Sequence, residues 1–178
     1  MRILGVDSSG MVASVALVED DLLVAEYSVN YKKTHSQTLL PMLDEIVKMT
    51  ELDLNTIDAI AVAAGPGSFT GLRIGAATVK GLGLALEKPV VSVPTCHGLA
   101  YNLWGSDKLI CPIMDARRSQ VYTGIYEFTK DGMQVLLDQS AMDIRALAEK
   151  LNAMGREVIF LGAVSYTHLR AHETVLDL

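Results

Sequence analysis

The segment that most constrains this chain runs from an apolar stretch, Ala59 to Ala64, through Gly65-Pro66-Gly67-Ser68-Phe69-Thr70-Gly71-Leu72-Arg73-Ile74-Gly75 and on to Leu86. A short apolar run broken by glycine and proline reads as a strand ending in a turn. A helix is predicted from about Thr70 to Leu86, with Ser68 or Thr70 accepting from the unpaired N–H groups of its first turn. A strand, a glycine turn and a helix N-terminus form the general layout of an anion site. Two specific versions fail on residues. A P-loop ends in Gly-Lys followed by Ser or Thr, and no such triplet occurs. A dinucleotide site needs an acid at the end of the next strand, whereas here that strand, Val90 to Val93, ends at Pro94. Between Gly71 and Leu86 the only charged residues are Arg73 and Lys80. A helix so apolar must be covered on more than one side, and a face not used by its own sheet is an interface in waiting. With the neighbouring amphipathic helix over 36–50, it reads as a platform for another subunit.

The rest of the chain supplies the sheet. Ile3 to Val6 ends at Asp7, Val12 to Val18 follows after Ser8-Ser9-Gly10, and Leu22 to Val29 makes a third strand. Leu39, Leu40, Leu43, Ile46 and Val47 repeat at helical spacing after Ser36. Thr95 can cap a helix through about Trp104. The alternation of strands and helices over 59–104 implies parallel strands added to the initial meander. The second half repeats the opening: Ile110 to Met114 ends at Asp115, a polar turn follows, then Val121 to Phe128. That layout predicts two related lobes. A helix over Asp143 to Met154 and a strand over Val158 to Leu161 complete it.

Composition narrows the function. The chain has 178 residues, a net charge of −6, 50% hydrophobic residues and only 6% aromatic ones. No basic cluster suits a broad nucleic-acid surface, so any service to RNA is expected to be indirect. Cys96 and Cys111 lack metal-ligand spacing and read as buried reduced thiols, which points to the cytoplasm. Neither a secretion signal nor an apolar run of the ~18 residues that cross a membrane is read.

Four segments, GVDSS at 5–9, HSQTLLPML at 35–43, GPGSFTGLRIG at 65–75 and MDARRSQVY at 114–122, together resemble the TsaB (also YeaZ) family. The resemblance covers about residues 1–162, and the eleven-residue glycine run is its most specific part. It implies an α/β chain with the actin-like/sugar-kinase ATPase (ribonuclease H-like) fold: a first lobe over 1–105, an incomplete second lobe over 106–164 and an unrelated tail over 165–178. It also implies a noncatalytic place in bacterial synthesis of threonylcarbamoyladenosine in tRNA. The expected partners are a catalytic TsaD-like paralogue and a TsaE-like ATPase. A homodimer through the same helices is also implied, tRNA being met only through the complex and no membrane being involved. The partner surface is expected at Leu39, Leu43, Ile46, Val47, Gly71, Arg73, Gly75, Ala76 and Val79.

The alternative is an enzyme in its own right, an actin-like ATPase or a carbamoyl-transfer enzyme. In such ATPases two strand-end aspartates position metal and water around the nucleotide phosphates, and Asp7, Ser8 and Asp115 hold the matching places. The turn Asp115-Ala116-Arg117-Arg118 has no glycine to admit a phosphate, so the site reads as degenerate, with no cofactor or metal. The catalytic paralogue carries a His-x3-His metal pair, where this chain has only His97. His35 is expected to cap its helix or lie on the surface. His168 and His172 share a spacing that could bind metal but fall in the tail, which resembles translated adapter read-through. A peptidase reading fails because Ser68 lacks the Gly-x-Ser-x-Gly elbow.

Overall fold

The computed structural model describes residues 1–31 and 34–162; the tail and its His168/His172 pair lie outside the described residues. The chain divides into two compact units, Met1–Thr95 and one beginning at Cys96. The division falls ahead of the boundary read at residue 105, because Cys96 and Ala100 are buried with Ile110 and Tyr126.

In the first unit, β1 (Arg2–Asp7), β2 (Ala13–Glu19) and β3 (Leu22–Val29) form the expected meander. They are followed by α1 (His35–Met49), β4 (Ala59–Ala63), α2 (Phe69–Leu86) and β5 (Val90–Val93). The sheet order is β3-β2-β1-β4-β5. β1 pairs antiparallel with β2 and parallel with β4, and β4 pairs parallel with β5. Alternation along the strands puts Leu4, Val6, Val15, Leu17, Ile60 and Val62 on one face, where Leu39, Met42, Leu43 and Ile46 of α1 and Val79 of α2 cover them. Each such side chain removed from water contributes about 1.5–3 kcal/mol. Ser68 caps α2, its side chain accepting from the Gly71 N–H.

The second unit contains α3 (Thr95–Tyr101, whose first residue ends the other unit), β6 (Leu109–Asp115), β7 (Gln120–Thr129), β8 (Gly132–Asp143), α4 (Ile144–Met154) and β9 (Val158–Leu161). Its sheet order is β8-β7-β6-β9, with β9 parallel to β6. This matches β3-β2-β1-β4 strand for strand, so the repeated layout seen in sequence extends to a whole meander, helix and parallel strand.

Two elements depart from the sequence reading. β8 has no announcing hydrophobic pattern because it is an edge strand without a single fully buried residue. Thr95 does not cap α3: it is the helix's first residue, its N–H donates to the Gly65 carbonyl, and its buried hydroxyl has no hydrogen-bond partner among the described residues. α3 also ends at Tyr101 and gives way to hydrogen-bonded turns through Ser106.

Candidate functional site

Three sequence segments far apart in the chain meet at the turn after β1. Asp7 Oδ1 accepts from the Ser9 N–H at 2.7 Å. The Ser8 hydroxyl donates to the Gly71 carbonyl at 2.8 Å, the Ser68 N–H donates to the Ser9 carbonyl at 2.6 Å, and His35 Nε2 donates to the Gly10 carbonyl at 2.9 Å. Ser8 and Ser9 are buried. A Cβ at Gly67 or Gly71 would fall well under 3.0 Å from the backbone oxygen of Ser9 or Ser8, and one at Gly75 would fall equally close to Ser8 Oγ. The glycines therefore exist so that α2 and the loop before it can lie directly on this turn. The Ser8 hydroxyl, the Ser9 N–H and the Ser9 and Gly10 carbonyls of the turn are therefore all bonded within this unit. His35 neither caps α1 nor stands free; its ring ties the α1 N-terminus to the turn.

Asp115 occupies the matching place after β6, and Asp115 Oδ1 accepts from the Arg117 N–H, also at 2.7 Å. Here the missing glycine does not prevent a left-handed turn: Arg117, Arg118 and Ser119 have φ values of 66, 52 and 60°. All three residues are exposed.

Most of the residues expected at a partner surface face inward. Leu39, Leu43, Ile46, Gly71, Gly75 and Val79 are buried in their own unit, and Val47 and Ala76 are partly buried, which leaves Arg73 alone fully outward. The apolar stripe found by periodicity is the face each helix turns to its own sheet. The outward stripe of α2 is instead Phe69, Arg73, Ala77, Lys80 and Leu84, with Phe69 68% and Leu84 84% exposed. Arg73 lies over the Phe69 ring, its guanidinium carbon 4.0 Å from the centroid. α1 lies beside α2 and leaves Leu40 55% exposed. The clue missed in sequence is that two bulky apolar residues, Phe69 and Leu84, fall in register with the helix's only cations.

In the second unit His97 Nε2 lies 3.6 Å from the Asp138 carboxylate, and its ring meets Tyr126 edge-on. Among the described residues no group of three or more His, Cys, Asp and Glu side chains is placed to hold a metal ion. Cys96 and Cys111 are buried, and burial pushes both thiols up to about 11. Iodoacetamide at pH 8 is expected to leave both unlabelled in the native chain and to label both once it unfolds, as mass spectrometry would read. Because the folded thiols ionise near 11 and the unfolded ones near 9, the stability they contribute is complete below pH 9 and drains away as pH rises through 11.

A sheet of order 3-2-1-4-5, repeated in part, with an aspartate closing the first strand of each copy, defines the actin-like/sugar-kinase class of fold. A family model described as TsaD, tRNA N6-adenosine threonylcarbamoyltransferase, matches residues 23–167. The tRNA threonylcarbamoyladenosine biosynthesis protein TsaB of Bacillus subtilis is 39% identical over 178 residues, 99% of this chain and 77% of that protein. This alignment extends into the stretch 165–178 that the sequence reading sets apart. TsaB of Escherichia coli is 36% identical over 136 residues, 75% of this chain and 58% of that protein. The solved structure of YeaZ from Pseudomonas aeruginosa superposes with a TM-score of 0.70 at 31% identity, covering 80% of this chain and 66% of that one. The chain belongs to the TsaB family, and so to the biosynthesis of threonylcarbamoyladenosine in tRNA.

Proposed function

We propose that this chain is a noncatalytic subunit that docks a TsaD-like catalytic paralogue on the outward face of α1 and α2. A TsaE-like ATPase joins the assembly, tRNA is met through the complex, and the setting is the cytoplasm. The observation that carries this reading is the outward stripe of α2. Two large apolar side chains and a stacked arginine stand in water on a helix whose opposite side is fixed to the core. Aromatic and arginine side chains of this kind are the usual anchors of a protein interface. The Asp7 turn supports the noncatalytic part, since its serine hydroxyl, carbonyls and carboxylate already bond the fold. Among the described residues no helix is long and apolar enough to cross a membrane. Co-purification of the full chain with a TsaD-like paralogue tests the reading. A complex at micromolar concentration supports it; none, or one formed equally by a variant with a charged outward stripe, sinks it. A homodimer on the same face is the competing occupant, and sedimentation of the chain alone measures how far it competes.

A further inference from the structure

β8 is an edge strand without a fully buried residue, so hydrophobic packing does little to fix it against α3. Polar groups stand there instead. The Cys96 N–H donates to Gln139 Oε1 at 3.2 Å. His97 Nε2 lies 3.6 Å from the Asp138 carboxylate, just beyond hydrogen-bond length, and the His97 ring meets Tyr126 edge-on with 5.1 Å between centroids. His97, Asp138 and Tyr126 therefore converge from α3, β8 and β7, all within the second unit.

Two of the three hold buried atoms without a hydrogen-bond partner among the described residues: His97 Nε2 and the Tyr126 hydroxyl. Tyr126 is 0% exposed, and a phenylalanine would fill the same space without taking a hydroxyl out of water. The fold also makes room for that hydroxyl. A Cβ at Gly124, two residues earlier on β7, would fall under 3.0 Å from both Tyr126 Oη and Cζ. Burial first, then the charges of Cys96 and Asp138, raise Tyr126 above its ordinary value, so its hydroxyl keeps its proton and can donate. The carboxylate beside His97 Nε2 favours the tautomer that carries a proton there. Two donors and an acceptor, none bonded to another, match what an internal water requires: about three polar partners in a confined place. We propose that one ordered water is bound here, accepting from Tyr126 Oη and His97 Nε2 and donating to Asp138. It joins α3 to both β7 and β8. The Asp138 side chain, 83% exposed, is the side from which this water exchanges with solvent.

The first test is the sign of the effect of Tyr126→Phe. With a water to bond, loss of the hydroxyl strands that water and lowers the melting temperature of the full chain by roughly 2–4 °C. Without one, the substitution removes an unsatisfied group; a melting temperature that rises or stays level overturns the proposal. The second is a double-variant cycle with His97→Leu. Because both groups hold one water, the two substitutions together should lower the melting temperature little more than the larger of them alone. Falls that simply add refute the shared site. A crystal structure of the full chain should show a single water within about 3.2 Å of all three groups. No ordered water there, or Asp138 bonded directly to His97 Nε2, sinks the idea.

Discussion

Gly71→Ala is expected to destabilise the first unit strongly, and no change at Ser8 is expected to rescue it. The added methyl would collide with the Ser8 backbone oxygen, which also lies beside the bond that Ser8 Oγ donates to the Gly71 carbonyl. A backbone atom cannot rotate away, so either α2 lifts from the sheet or the β1 turn breaks. Overpacking of a close-packed site costs about 1–3 kcal/mol, and more where only main chain can yield. For a chain of this length that is a fall in melting temperature of roughly 2–4 °C per kcal/mol. Gly75→Ala behaves differently, because its methyl meets the Ser8 hydroxyl while Ser8 Cβ stays 3.6 Å away. Alone it should be destabilising by a similar amount. In a Ser8→Ala background it should cost little beyond the lost Ser8 bond to Gly71, since the obstructing oxygen is gone. Circular dichroism melts of both glycine variants, with and without Ser8→Ala, measure the difference. Equal rescue of both, or of neither, would mean that the glycines are not there for close approach.

The second large effect concerns the partner face. Phe69→Glu combined with Leu84→Glu should raise the dissociation constant for a TsaD-like paralogue by about 100-fold or more. Anchors of this kind cost about 2 kcal/mol or more each when lost, and a carboxylate buried without a partner adds to that. The melting temperature of the free chain should hardly move, because both side chains already stand in water. Gly75→Arg would be a poor instrument for the same question. It would drive a long side chain into Ser8 and unfold the unit before any interface could be read. Arg73→Ala should have an intermediate effect, since it removes the cation over Phe69 while leaving the ring. Titration calorimetry against the purified partner separates these outcomes from loss of folding.

The meander, the crossovers and the aspartate at the end of each first strand were legible because they rest on short-range signals: alternation, glycine and proline punctuation, helical spacing. β8 was not, since an edge strand that buries nothing fully needs no hydrophobic code. The residues picked for a partner face are mostly buried ones for a related reason. Helical periodicity reports the side facing the core, and Leu39, Leu43, Ile46 and Val79 are that side. The outward residues Phe69, Arg73, Lys80 and Leu84 mix apolar and charged types and so carry no periodic signal. The contact of Ser8 and His35 with Gly71 and Gly10 could not be seen at all without the fold, because spacing says nothing about which distant segments meet. The left-handed turn at Arg117–Ser119 hid behind its lack of glycine.

The bond from Ser8 to Gly71 spans 63 positions of chain, and this has a consequence for synthesis on the ribosome. β1 and β2 can pair as soon as they emerge, but the turn between them lacks its bonds to α2 and to the loop before it until those arrive. Contacts that wait for so distant a segment are made late, after the entropy of a long loop has been overcome. During that interval only α1 is at hand to cover the apolar face of the β1–β2 hairpin, and the nascent chain is exposed to chaperones and to misassociation. The vulnerable period thus ends only once α2, as far as Leu86, has cleared the exit tunnel and can close on the turn.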